Sequence, residues 1–173
     1  MKNSFTLIEV LVYIAVLTII ISIVSVFIFW QIGSGAKSRA IRETQYNAER
    51  ALTIMTKEIR EAKSVYAPAS AFNVNPGQLS LETLKYLPSG ETVSYIDFFI
   101  CGTQLCFKKE SQNPVALTSG RVKISDLVFS QINTIPTAPS IQINLKVDYR
   151  ATSTRPEHQA SFSATSSASL RSY

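Results

Sequence analysis

The sequence predicts an α+β chain in which one long N-terminal helix packs its second half on an antiparallel β-sheet. Three observations predict it. Val10 to Trp30 is an uncharged apolar run interrupted only by Thr18, Ser22 and Ser25. Ile41, Ala48, Leu52, Met55, Ile59 and Ala62 recur at helical spacing, and Ile141 to Arg150 alternates apolar with polar residues.

The apolar run, 21 residues long, extends about 31 Å as a helix at ~1.5 Å per residue, close to the ~30 Å hydrocarbon thickness of a bilayer. It is long enough to span a membrane, with Val10 and Trp30 as its ends and Trp30 as an interfacial anchor. A cleaved secretory signal, with Lys2 as its basic region and Ser34-Gly35-Ala36 as its cut site, is the alternative. Its apolar core would exceed the ~7 to 15 residues usual for such signals.

Gly33-Ser34-Gly35 interrupts the pattern, and each glycine costs roughly 1 kcal/mol relative to Ala inside a helix, so a bend or local melting is expected there. The spacings from Ile41 to Ala62 are seven, four, three, four and three, which place all six residues on one helix face as a packing stripe. Glu43, Glu49, Arg50, Lys57, Glu58, Arg60 and Glu61 form a charged face read as solvated.

After Ala67-Pro68 the composition turns to strands and loops. Asn75-Pro76-Gly77 signals a turn before a strand at Gln78 to Leu81, and Pro88-Ser89-Gly90 makes the next turn. Thr92 to Cys101 is apolar at both parities, the pattern of a central strand. Val122 to Phe129 supplies another, with Asp126 breaking its parity as a bulge would. Ile132 to Ser140, carrying Pro136 and Pro139, reads as a loop. Phe162, Ala164, Ala168 and Leu170 share one parity against Ser161, Ser163, Thr165, Ser167 and Ser169, which reads as a final strand rather than a disordered tail.

Cys101 and Cys106 are the only cysteines. A two-residue turn at Thr103 and Gln104 would set them directly opposite, as a non-hydrogen-bonded pair with Cα atoms ~4.5 Å apart, within disulfide range. Two independent reduced thiols are the alternative.

The chain has 17 Lys+Arg against 12 Asp+Glu, a net charge of +5. Ala36 to Ser64 carries seven basic residues against four Glu and Val65 to Tyr173 nine against seven, so the excess sits in one stretch instead of forming a basic domain. Nucleic-acid binding is disfavoured. No nucleophile elbow, phosphate loop, metal-ligand cluster or calcium loop is present, and the single histidine, His158, reads as an exposed loop residue. No catalytic activity, cofactor or metal is expected.

Glu9 is the residue that demands an explanation. It opens the apolar stretch, yet no Lys or Arg occurs from position 3 to 36. Inserting an unpaired acid in lipid costs about 2.5 to 3.5 kcal/mol, so its cation must come from another chain or from a newly exposed amino terminus. That points to assembly.

The segment KNSFTLIEVLVYIAVL resembles the processing and assembly segment of type IV pilins and pseudopilins. In that family a prepilin peptidase cuts before the Phe and methylates the new amine. The resemblance implies cleavage between Ser4 and Phe5, N-methylation of Phe5, and neutralisation of a neighbouring subunit's amino terminus by Glu9. The family carries Gly before the cut; here Ser4 stands there. The implied boundaries are a leader at 1–4, a transmembrane and assembly helix at 5–32, its amphipathic second half at 33–65 and a globular β-rich domain at 66–173. Leu117-Thr118-Ser119 leading into Val122 to Phe129 is similar to minor pseudopilins of the J type and related minor pilins.

The implied function is a minor pilin or pseudopilin of a type IV pilus or type II secretion pseudopilus, with a place in a tip complex. The implied partners are other pilin subunits, the prepilin peptidase and an inner-membrane assembly platform. The implied location is the bacterial inner membrane, single-pass, with the globular domain periplasmic or extracellular. A positive-inside count gives the opposite orientation, because Lys37, Arg39 and Arg42 follow the span and only Lys2 precedes it. A competence pseudopilin for DNA uptake, a membrane-tethered binding domain that never polymerises, and a secreted protein cut near Ala36 are the rival readings.

Overall fold

The computed structural model describes residues 6–132, 139–151 and 155–171. Helix α1, Leu7–Glu61, is 55 residues long, about 80 Å at ~1.5 Å per residue. It contains no proline, and the Ser and Thr hydroxyls of its apolar run are satisfied within the helix. Thr18 donates to the Ala15 carbonyl, Ser22 to Thr18 and Ser25 to Ile21, each at 2.8 Å. In a lipid environment those bonds spare the side chains an unpaired polar group.

The helix runs through Gly33 and Gly35 without interruption, so the expected melting is absent. Helical bonding on both sides carries the two glycines. It ends at Glu61, four residues short of the expected Val65, because Ala62 turns extended and Ser64–Val65 forms β1.

Two antiparallel sheets follow rather than one. In the first, β1, β2 (Leu79–Thr83), β3 (Ser94–Cys101), β4 (Gln104–Lys109) and β5 (Val115–Ala116) lie in chain order. In the second, β6 (Val122–Ile132), β7 (Ser140–Tyr149) and β8 (Ser161–Ser169) do the same. The register of β6 on β7 shifts between Ile124 and Asp126, where a bulge was expected. The expected loop between Ile132 and Ser140 lies outside the described residues except at its ends. Strand β3 is central, but only Ser94, Ile96 and Phe98 are buried, while Tyr95 and Phe99 on the other face are half-buried. Ile141, Ile143, Leu145 and Val147 point inward as their alternation requires.

Strand β6 joins the two sheets along its outer edge. The Leu127 carbonyl accepts from Gly77 N–H and the Phe129 carbonyl from Asn73 N–H, both at 2.8 Å, and the Asn75 side chain accepts from Leu127 N–H at 3.2 Å. Ile124 N–H donates to the Thr103 carbonyl at 2.8 Å. A Cβ on Gly77 would stand 3.0 Å from the Leu127 carbonyl oxygen and 3.1 Å from Phe129 Cδ2, so this close approach requires glycine.

The second half of α1 packs mainly on β7 and β8. Its buried residues are Ala40, Thr44, Asn47, Ala48, Ala51, Met55, Glu58 and Ile59, with Leu52 half-buried. Ile41, expected in the stripe, is 45% exposed. Small side chains carry the upper contact and bring the helix close to the sheet; Ile41 lies beside them, off the contact line. Glu58 is buried, against the expectation of a wholly solvated charged face. Both sheets and the helix share one core, centred on Met55, Ile59, Phe98, Leu127, Phe129 and Ile143.

Candidate assembly and membrane-anchoring segment

Thr6 caps α1 through its backbone: its carbonyl accepts from the N–H groups of Glu9 at 3.1 Å and Val10 at 3.3 Å. Glu9 therefore occupies the third helical position, where free backbone N–H groups and the helix dipole favour a negative charge. The Tyr13 hydroxyl, one turn along, donates to Glu9 Oε1 at 3.4 Å. Hydropathy does not mark out Tyr13; its spacing of four from Glu9 is the signal that places it there. Among the described residues the ion pairs are Lys63–Glu82, Lys85–Glu61 and Lys123–Asp148, and none reaches Glu9.

Leu7 is 87% exposed and Ile8 71%, and large apolar side chains stay exposed on every side of the helix as far as Ile32. The most apolar window of α1 has a mean hydropathy of 2.9 and none of it is buried within the chain. At ~25 cal/mol per Å² of apolar surface, a face of this extent does not remain in water. Its far end carries the exposed Trp30, whose ring lies 6.5 Å from that of Phe27. Ser4 and Phe5, the expected cleavage and methylation residues, lie outside the described residues.

The globular end of α1 is fastened at three places. Lys37 Nζ donates to the Pro156 carbonyl at 3.3 Å and to the Gln159 carbonyl. Asn47 and Glu43 hold Ser119: Asn47 Oδ1 accepts the Ser119 backbone N–H at 2.7 Å, and Glu43 Oε1 accepts its hydroxyl at 2.9 Å. Glu43 thus leaves the solvated face assigned to it. At the helix C-terminus, Glu61, the last residue of α1, binds Lys85 two residues past β2, and Lys63, just beyond the helix, binds Glu82 of β2 at 2.6 Å. The hydrogen bond from Lys85 holds the Glu61 carboxyl below its ordinary range, and the same bond raises Lys85. Lys63, then Ser64, lowers Glu82 in the same way.

Cys101 and Cys106 are joined, with Cα atoms 5.8 Å apart. Their register differs from expectation. Cys101 pairs with Gln104 and Cys106 with Phe99, so the cysteines are diagonal neighbours and the turn is Gly102-Thr103. Gly102 has φ +64, the first central position of a type II′ turn, which glycine fills without strain. Glycine one residue after Cys101 was the signal for this turn. His158 is half-buried in a 3-10 turn, Pro156–His158, instead of lying fully exposed.

Residues 1–25 match the family model described as the prokaryotic N-terminal methylation motif. No curated protein and no solved structure matches the chain. The motif, joined to a helix long and apolar enough to cross a membrane, supports a type IV pilin-like substrate of a prepilin peptidase that is anchored by a single pass.

Proposed function

We propose that the chain is a minor pilin or pseudopilin: a structural subunit cut between Ser4 and Phe5, methylated at Phe5, and drawn from the inner membrane into a type IV pilus or type II secretion pseudopilus. The observation that carries this reading is Glu9, a carboxylate with no cation among the described residues, at the head of an apolar helix surface that none of those residues covers. In a filament, the Val10 to Trp30 surfaces of neighbouring subunits replace lipid. The methylated amine of an adjacent Phe5 supplies the charge that Glu9 lacks. Any register that leaves the carboxylate buried and unpaired is disfavoured by a few kcal/mol, so Glu9 fixes the axial position of the incoming subunit.

The globular domain presents its two-sheet body outside the filament core, and the partners of this subunit are other pilins, the peptidase and the inner-membrane assembly platform. The similarity of the Leu117-Thr118-Ser119 region to J-type minor pseudopilins supports a place in the tip complex. The test is cross-linking of the full chain into sheared filaments in a strain carrying the assembly machinery. Wild type and Glu9→Asp enter the filament fraction, whereas Glu9→Ala accumulates in the membrane at normal levels. Equal incorporation of Glu9→Ala would mean that the chain is a tethered domain for which Glu9 has no assembly role.

A further inference from the structure

We propose that the basic base of the globular domain binds phosphates of anionic phospholipid headgroups in the bilayer that holds α1. Arg39 and Arg42 on α1 and Arg121 beside β6 line one cleft of about 420 Å³ with Tyr46, Tyr149 and Glu43. Tyr149 also borders a second cleft of about 700 Å³, which includes Lys37, Lys123 and Arg150. Arg150 N–H donates to the Arg121 carbonyl at 2.7 Å, which holds the two arginines side by side.

The carboxylates of this region are already engaged. Glu43 Oε1 accepts from Ser119 at 2.9 Å and from Asn47 at 3.2 Å, and Asp148 faces Lys123 at 3.9 Å. Among the described residues Arg39, Arg42, Arg121 and Arg150 have no ion-pair partner. Arg42 bonds to Ser38 one turn back, at 3.0 and 3.4 Å. Three arginines against the one carboxylate of Glu43 leave their cleft with an excess of positive charge, and their planar forks match phosphate oxygens in pairs.

Their height selects the source of the phosphate. Arg39 lies seven and Arg42 ten residues beyond Ile32, roughly 10 and 15 Å along the helix axis at ~1.5 Å per residue. The headgroup layer spans about 5 to 8 Å on each side of the hydrocarbon, and an arginine side chain reaches back toward it along its apolar stem. Ala40 is the first buried residue of α1, so the domain begins at the same level. Occupied by lipid, the cleft fixes the tilt of the domain on the membrane until the helix is drawn out.

This inference rests on the reading that Val10 to Trp30 is embedded in a bilayer. The test uses the full chain in vesicles of phosphatidylcholine with and without phosphatidylglycerol, and lipid retention by native mass spectrometry from neutral detergent. Wild type retains phosphatidylglycerol over phosphatidylcholine by tenfold or more, since each arginine near an anionic surface is worth ~5-fold. The triple variant Arg39→Gln/Arg42→Gln/Arg121→Gln loses that preference while still floating with the vesicles, and Arg50→Gln/Arg60→Gln keeps it. A preference unchanged in the triple variant would overturn the proposal. So would displacement of the lipid by millimolar inorganic phosphate, which means a soluble anion site, or loss of self-association alone, which means an acidic face of a second copy. Failure to float with either vesicle would remove the membrane anchor itself, a different result from floating without lipid preference.

Discussion

The backbone N–H of Ser119 donates to Asn47 Oδ1 at 2.7 Å, joining residues 72 positions apart. Asn47 is buried on the inner face of α1, and Ser119 lies in the link between the two sheets. One side chain therefore ties the helix to the point where the domain changes sheets. Replacing Asn47 with Ala strands that N–H, at a cost of about 1 to 3 kcal/mol. Thermal unfolding of the full chain in detergent should show the loss, and the exposed Glu49→Ala should not.

Gly77 gives a second, independent test of the junction. The contacts at 3.0 and 3.1 Å that a Cβ would make involve the backbone and ring of β6 residues, which cannot swing away freely. Gly77→Ala is expected to destabilise by about 1 to 3 kcal/mol through overpacking. Gly120→Ala, with nothing within 4 Å of the new methyl group, serves as the control in the same denaturant titration.

Stability should depend on acid through the helix C-terminus. Glu61 and Glu82 have lowered pKa values in the folded chain, so their contribution is fully present above the ordinary carboxylate range and disappears as pH falls through the depressed values. Lys85, raised by Glu61, contributes below the ordinary lysine range and loses its contribution as pH rises through the raised value. Melting temperature measured across acid pH should fall less steeply for Glu82→Gln than for wild type. Parallel curves would show that the Lys63–Glu82 pair does not couple to folding.

The Cys101–Cys106 bridge closes a small loop, and such a closure stabilises by about 2 kcal/mol. Reduction, or Cys101→Ser/Cys106→Ser, is expected to lower the melting temperature while leaving far-UV circular dichroism unchanged. The β3–β4 ladder and the packing of Leu105 in the core do not depend on the bridge.

Much of this arrangement was legible in the residues because hydropathy and periodicity report burial directly. The alternation at Ile141 to Val147, the mixed parity at Asp126 and the uncharged span from Val10 each gave one element and its facing. The helix stripe was legible only in part. Met55 and Ile59 announce themselves, but the upper contact is made by Ala40, Thr44 and Asn47, whose burial reflects close approach and hydrogen bonding rather than hydrophobicity. The division into two sheets was hidden for a related reason. The first sheet meets β6 through separate backbone bonds at Asn73, Gly77 and Thr103 instead of a continuous ladder, and side-chain pattern does not encode such bonds. At Glu9 the sequence supplied the unmatched charge, while Tyr13 as its neighbour needed the helix geometry.

The amino terminus of the chain decides whether it is a processed pilin-type subunit. Intact mass and N-terminal sequencing of the full chain, purified from membranes that contain the prepilin peptidase, should give N-methylated Phe5 as the first residue. Ser4→Gly should raise the processed fraction wherever wild type is cut incompletely. A chain that still begins at Met1, with Ser4→Gly equally uncut, would be a tethered domain and no processed subunit, and one that begins at Lys37 would be a secreted protein with no assembly helix.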